Sequence, residues 1–582
     1  MNQGSGGQDA AMAAWRRTDI IALAAVIAIG SAFVEVALLG VAHFGLGRWT
    51  HLNPQIVWLA PLTLLVVAVV FAALILAVRP RTRDAIRAVA FVTAWIGGTG
   101  VLFTYQQLHR IAAIVVAAGV AVQFSAVVVR HPDLLLRWTR RMAVPLSIGV
   151  VLAFAVLNGR WWLMERQALA ALPPATDGPN VLLVIWDTVR ASRLSVYGHD
   201  RRTTPTLERL ATEGVVFERA FSTAPWTTPA HGSLFTGLYP PQLSADWWTP
   251  LDDEPVVLAE MFAGQGYRTA GITANRFATS RESGLSRGFS HYDDYHVFSW
   301  GDVVNATAIG RRVTTSDNRR HAMGIDKPLG HKDAYQVDRE FLDWLDRDDD
   351  RPFFAFLNYF DAHTPYQPPA PFDTLWGPTL PNRDPWMTTG RQYSERELQA
   401  EIDAYDGAIA FLDHRLGLLL DQLDRRGILD NTIVIVSSDH GEEFGEHGVY
   451  THGHSMYDGV LHVPLLIRWP AGAPAGRRAT AFVSIRDVPA TLHDLLEFES
   501  AAMPGTSLAR RWSCRGSSCR VNPSRGTLRI PIRSPGVVER SQCVRLPAAR
   551  LGDGLAVPGR VVRVAYGHRA RACPSPYRTT VG

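Results

Sequence analysis

Apolar positions are spread unevenly along the 582 residues. Before residue 160 they gather into five nearly continuous runs, at 20–45, 56–78, 86–105, 111–129 and 142–158. Each run is close to the ~20 residues that a helix needs to cross a bilayer. After residue 180 the pattern changes. Short apolar blocks at 181–186 (V-L-L-V-I-W), 268–273, 353–358 (F-F-A-F-L-N), 432–436 and 463–467 have the length of strands buried in a sheet that is covered on both faces. Between them, Ile402, Tyr405, Ile409, Leu412, Leu416, Leu419 and Leu423 recur at steps of three and four, which predicts a long amphipathic helix over 397–426. Shorter helices are expected at 203–214, where Pro205 opens and Gly214 closes the segment, at 255–266 and at 485–496. The chain therefore divides into an all-α transmembrane region of about five helices (1–160), a linker (161–179), an α/β domain (180–508) and a tail (509–582). Residues 300–330 lack periodicity and are expected to be a loop-rich insertion. Glu35, an acid inside the first span, is expected to pack within the bundle.

Charge sets the orientation. Arg16 and Arg17 precede the first span, Arg79, Arg81, Arg83 and Arg87 separate the second from the third, and Arg130, Arg137, Arg140 and Arg141 separate the fourth from the fifth. The alternate loops carry little beyond Arg48 and Arg110, so the positive-inside rule puts the N-terminus in the cytoplasm, and five crossings put the α/β domain outside it. The expected location is a cell (inner) membrane, multi-pass, with the α/β domain extracytoplasmic. Trp161 and Trp162 suit the interfacial belt at the end of the last span. The net charge of +4 conceals an asymmetry. Fifteen arginines and two acids fall from Arg510 onward, which leaves 43 basic and 52 acidic residues before it, and no nucleic-acid partner is expected. All four cysteines (Cys514, Cys519, Cys543, Cys573) lie in the same Arg/Pro-rich stretch, so the body of the protein has neither disulfides nor thiolate metal ligands. That stretch reads as a frameshifted tail, a disordered basic tail that binds anionic lipid, or a small disulfide-linked module.

Candidate chemistry lies where strands end, because ligands of open α/β sheets gather at the carboxyl ends of strands. Asp187 follows the first strand, and Asp439 and His440 follow the strand at 432–436. Two adjacent residues reach one ion only in a turn, and Gly441 permits one. His363 stands in the exit loop of the strand at 353–358, and His447, His452 and His454 follow the Asp-His pair. Residues 224–237, A-P-W-T-T-P-A-H-G-S-L-F-T-G, form a turn leading into a short helix that would present Thr227 at its N-terminus, where free N–H groups and the helix dipole favour an anion.

This last segment resembles the signature of the sulfatases, a branch of the alkaline phosphatase superfamily. Pro229, Ala230, Leu234, Phe235, Thr236 and Gly237 fall on the pattern, with Thr227 at the nucleophile position and His231 where the family has Arg. Further matches are the opening segment from Asp187 to Y-G, with Thr188 in place of a second acid, H-x-P-Y at His363, S-D-H-G-E at Asp439 and His440, and the late D-x-x-P-T-L pattern. The resemblance covers about 180–508 and implies an alkaline-phosphatase-like mixed sheet flanked by helices. It also implies a site binding one or two divalent ions (Ca, Mn, Mg or Zn) through Asp187, Thr227, Asp439 and His440. His454 stands where sulfatases commonly place a sulfate-contacting Lys. His363, His452 and His454 are thus candidates for anion contact or leaving-group protonation, with His447 a further substrate-binding candidate. Formylglycine, the nucleophile of true sulfatases, is made from Cys or Ser. An unmodified Thr is what the superfamily's phosphodiesterases and lipid head-group phosphotransferases use. Three readings stay open: an ester hydrolase of sulfate or phosphate esters, a phosphotransferase of the phosphoethanolamine or phosphoglycerol type, and an inactive binding protein. The expected partners are an ester substrate of the cell envelope or periplasm and membrane lipid.

Overall fold

A computed structural model describes residues 12, 14–49, 52–79, 82–105, 107–295, 300–314, 331–347, 349–378, 380, 387, 391–500 and 502–512. The four cysteines and nearly all of the Arg-rich tail lie outside the described residues, as does 315–330 of the expected insertion.

The five apolar runs form helices α1 (Arg17–Gly40, prolonged by a π-helical turn Val41–Gly45), α2 (Ile56–Val78), α3 (Thr82–Phe103), α4 (Arg110–Arg130) and α5 (Pro132–Ala170). All five are long and apolar enough to cross a membrane. Their outward faces leave Val66, Val70, Leu74, Val115, Val120 and Val151 exposed, a surface that water would penalise and lipid solvates. Their facing surfaces bury Ala24, Ala32, Ala60, Ala72, Ala90 and Ala113, small residues that let helix backbones approach closely. Arg140 donates two hydrogen bonds to Asp19, 2.8 and 2.9 Å long, and ties α5 to the start of α1. The last helix differs from expectation. Its 39 residues, at about 1.5 Å each, outreach a bilayer core of about 30 Å, so it continues as a stalk through Trp161 and Trp162 and the non-helical linker shrinks to 171–179.

Glu35 packs inside the bundle as expected, against Gly100 of α3. It is 1 % exposed, but its partners come from outside the bundle: the Ala308 N–H (2.6 Å) and the Arg311 guanidinium (2.9 Å) both donate to Oε1. The described part of the insertion is therefore not loop. Trp300–Asn305 and Ala308–Thr314 are short helices docked on the membrane helices, where Thr63 also donates to the Val303 carbonyl at 3.3 Å. Sequence periodicity could not show this, because two helical turns are too short to display a period.

The α/β domain is built on a nine-stranded mixed sheet. Its strands are β1 (Asn180–Trp186), β2 (Gly214–Phe221), β3 (Arg268–Thr273), β4 (His291–Asp293), β5 (Phe353–Tyr359), β6 (Thr432–Ser437), β9 (His462–Val463), β10 (Leu465–Arg468) and β11 (Arg477–Ser484). A separate hairpin pairs β7 (Glu443–Phe444) with β8 (Tyr450–Thr451). The main order is β11-β2-β10-β6-β1-β5-β3-β4, with β9 alongside β2. β6, β1, β5, β3 and β4 run parallel, while β10 is antiparallel to both β6 and β2. Alternation sorts the side chains. In β1, Leu182, Val184 and Trp186 enter one core and Val181, Leu183 and Ile185 the other; β5 and β6 divide the same way. The first core is closed by helices at Pro205–Glu213, Ala334–Leu345 and Glu395–Arg425. The second is closed by helices at Thr227–Thr236, Leu258–Ala263 and Val488–Leu495. Strands β2 and β11 are not evident in the sequence. Their interiors mix apolar residues with Glu218, Arg219, Arg477 and Arg478, whose charged heads reach the sheet margin.

Candidate active site

Asp187 leaves β1, Asp439 and His440 leave β6, Asn275 leaves β3 and His363 follows β5, so neighbouring parallel strands bring distant residues to one edge. Thr227 reaches the same place from the first turn of its helix. That helix ends at Gly237 (φ +72), where a Cβ would stand 2.0 Å from the Pro504 carbonyl oxygen; only glycine fits both the left-handed turn and the close approach.

Asp187, Asp439 and His440 are fully buried, and each offers a ligand atom within 4.8 Å of the others. Asp187 Oδ2 accepts from Asn275 Nδ2 (2.8 Å), and Asp439 Oδ1 accepts from the backbone N–H groups of His440 (2.9 Å) and Thr188 (3.2 Å). The other oxygens, Asp187 Oδ1 and Asp439 Oδ2, are buried without a hydrogen-bond partner. A buried, unsatisfied carboxylate pair is costly, and a divalent cation would relieve that cost. Burial drives the Asp187 carboxyl well above its usual range, with the neighbouring Asp439 charge adding to the effect, and burial lifts Asp439 to about 7. His440 donates from Nδ1 to the Gly441 carbonyl (3.0 Å), which leaves the Nε2 lone pair facing the carboxylates and 3.2 Å from Thr227 Oγ1. Two carboxylates, one imidazole and one hydroxyl fit a hard or borderline divalent ion.

Thr188 occupies the place of the family's second acid and has φ +63, a left-handed conformation that is unusual for a β-branched residue. The strained turn aims its N–H at Asp439, while its hydroxyl contacts the backbone carbonyls of Asp187 and Ala362. Thr188 thus supports the carboxylate pair through its backbone.

The histidines fall into different settings. His231 is fully buried; its Nδ1 donates to the Thr227 carbonyl at 2.9 Å and lies 3.5 Å from Asp439 Oδ2, and Nε2 has no partner. Burial lowers its pKa to about 4, so it is neutral and does not replace the positive charge of an arginine. His363, lowered to about 3 by burial and the adjacent His452, donates from Nδ1 to the Thr364 carbonyl. His452 packs against both His440 and His363, with ring centres 4.6 and 4.9 Å away. Its Nδ1 donates to Glu442 Oε1 (3.0 Å), and burial keeps it neutral. Tyr366 donates to the other Glu442 oxygen at 2.8 Å. His454 is exposed and, with Thr227, His363 and His452, lines a cavity beside Trp247. His447 stands apart, stacked on Tyr457 and 3.5 Å from Glu443, and does not line that cavity.

The site therefore gathers Asp187, Thr227, Asp439, His440, His231, His363, His452 and His454. Two residues went unrecognised in the sequence. Asn275 stood only as the polar residue ending a strand, and Glu442 lay inside the S-D-H-G-E segment with nothing to show that it faces His452.

Comparison with known proteins identifies the family. The sulfatase family model matches residues 179–498. The arylsulfatase of Clostridium perfringens is 26% identical over 376 residues, covering 56% of this chain and 76% of that protein. The ulvan-active sulfatase of Formosa agariphila is 27% identical over 374 residues, covering 63% and 70%. Among solved structures, the phosphonate monoester hydrolase of Agrobacterium radiobacter is similar at 26% identity and a TM-score of 0.46, covering 59% of this chain and 79% of that one. With a family match spanning more than half of its length, and a strand-end site built on the matched segment, the chain is a transmembrane member of the sulfatase family of ester hydrolases.

Proposed function

We propose that the protein hydrolyses sulfate or phosphate esters with Thr227 as its nucleophile and a divalent ion held by Asp187, Asp439, His440 and Thr227. One observation carries this reading: the Thr227 hydroxyl lies 3.2 Å from His440 Nε2, beside two buried carboxylate oxygens that accept no hydrogen bond. A bound ion would supply Lewis-acid stabilisation of the transferring group and lower the proton affinity of the nucleophile.

The chain's own residues support the remaining steps. Thr227 Oγ1 forms a bond to sulfur or phosphorus as the bond to the leaving oxygen breaks. The N–H groups of the Thr227–Thr236 helix face the transferring anion. His231 is neutral, so its contribution is to fix the Thr227 backbone through their 2.9 Å hydrogen bond. His454 is better placed than His363 to donate the proton. It is exposed to water at the cavity wall, whereas His363 is held neutral and uses its N–H on the Thr364 carbonyl. Water then cleaves the Thr227 ester.

A second reading replaces that water with an acceptor hydroxyl, as in head-group transfer. Thr227 favours it, because an unmodified hydroxyl forms an ester stable enough to await an acceptor. The arginine distribution supports a reading in which the chemistry lies on the outer face of an inner membrane. The intact carboxylate pair argues against an inactive binding protein.

The test is mass spectrometry of the Thr227 peptide after acid quench during turnover. A phospho- or sulfo-adduct on Thr227 is expected, and its mass names the ester class. Turnover that survives Thr227→Ala would overturn the assignment.

A further inference from the structure

A cavity of about 1800 Å³ opens over Thr227. Its wall is not confined to the α/β domain. One end is formed by Thr227, His363, His452 and His454, and the other by Leu39, Leu52, Ile56, Leu59 and Phe103 from the outer ends of α1, α2 and α3 and the segment joining α1 to α2. Those residues belong to, or adjoin, helices long and apolar enough to span a bilayer. Arg48, Arg276, Arg311 and Arg312 line the same space.

From this gradient we infer that the ester substrate is a lipid of the surrounding bilayer, its anionic head at Thr227 and its hydrocarbon chain between the outer ends of α1, α2 and α3. The inference rests on the ester-hydrolase reading for the reactive end. Size is consistent with it, because pockets for small molecules are usually about 300–1,000 Å³, less than this cavity holds. Polarity argues for it. A water-soluble ester filling the reactive end would leave Leu39, Leu52, Ile56 and Leu59 facing water, whereas a hydrocarbon chain gains affinity with each methylene placed against them. The arginines add positive charge to the wall that an anionic head approaches. The docked insertion completes the wall: Ala306 and Ala308 line the cavity, and the segment is held there by the Glu35–Arg311 pair at 2.9 Å.

The test uses the full chain in detergent micelles, loaded with manganese, and two substrate series: 4-nitrophenyl phosphodiesters and sulfate monoesters carrying methyl, octyl or hexadecyl chains. The kcat/KM is expected to rise at least tenfold from methyl to hexadecyl in the series that reacts. Ala42→Trp and Leu52→Arg, which obstruct the apolar end, are each expected to lower the hexadecyl-to-methyl ratio at least threefold. Micelle partitioning alone would raise rates for wild type and variants alike, so an unchanged ratio overturns the inference, as does a flat chain-length profile. Independently of turnover, hexadecyl phosphate bearing a terminal diazirine is expected to label peptides within 39–59 or at Phe103, and labelling confined to the exterior of α4 or α5 overturns it. Absence of turnover in both series with every divalent ion would instead sink the ester-hydrolase reading, while the labelling pattern still decides the occupant of the cavity.

Discussion

Replacing Asp439 by Asn should stabilise the metal-free protein and abolish its response to metal. Asp439 is fully buried, and its carboxyl is lifted from 3.8 to about 7, chiefly by loss of hydration. A carboxyl raised on folding holds its proton longer than in the unfolded chain. Stability is therefore greatest below about pH 4, falls as the pH rises, and has lost this contribution fully above about 7. At about 1.4 kcal/mol per pKa unit, the loss approaches about 4 kcal/mol. Asn keeps Oδ1 as the acceptor for the Thr188 and His440 N–H groups and carries no charge. With an unfolding entropy of about 2.1 cal/mol/K per residue over a domain of about 320 residues, about 4 kcal/mol corresponds to about 6 °C. The assay is thermal unfolding of the detergent-solubilised, EDTA-treated full chain at pH 5 and pH 8.5, with and without manganese or calcium. Without metal, the Asn variant should exceed wild type by about 6 °C at pH 8.5 and by less at pH 5. With metal in about 1,000-fold excess over Kd, wild type alone should gain about 4 kcal/mol. A metal-free variant no more stable than wild type at pH 8.5, or one that still gains from metal, would refute the reasoning.

Asn275→Ala removes the nearer of two amide donors to Asp187 Oδ2, the other being Asn358, and a 10- to 100-fold loss of metal affinity is expected in a calorimetric titration. Glu442, lifted to about 7 by burial, accepts from His452, and Glu442→Gln puts a neutral amide in place of that carboxyl. A fall in kcat with little change in KM is expected, whereas loss of the fold would show in the melting curve. Glu35→Ala leaves Arg311 without its buried counter-charge, for which about 3–5 kcal/mol of destabilisation is expected by thermal unfolding. Gly453→Ala forces a Cβ to about 2.7 Å from Trp247 at φ +81, and should lower kcat/KM by shifting the flanking His452 and His454.

The sequence by itself determined the parts of this protein whose pattern is local. Five apolar runs became five helices, because the length needed to span a bilayer is set by composition alone. The strands β1, β3, β5 and β6 and the long helix Glu395–Arg425 follow from short apolar blocks and three- and four-residue steps, and the residues at the strand ends follow with them. Asp187, Thr227, Asp439 and His440 could be named because each lies beside such an element or on a contiguous motif. What depends on residues far apart in the chain was decided only by the tertiary structure. The pairing of β1 with β5 and β6 brings Asp187 to Asp439, 252 positions later, and the register between them is not written in either strand. Burial, a property of the whole fold, made His231 and His363 neutral where their charge could not be read from the chain. Packing of the insertion against α1 gave Glu35 its arginine and joined the membrane helices to the reactive site in one cavity. Local pattern thus named most of the reactive groups, and long-range packing set their distances, their protonation and the space that faces them.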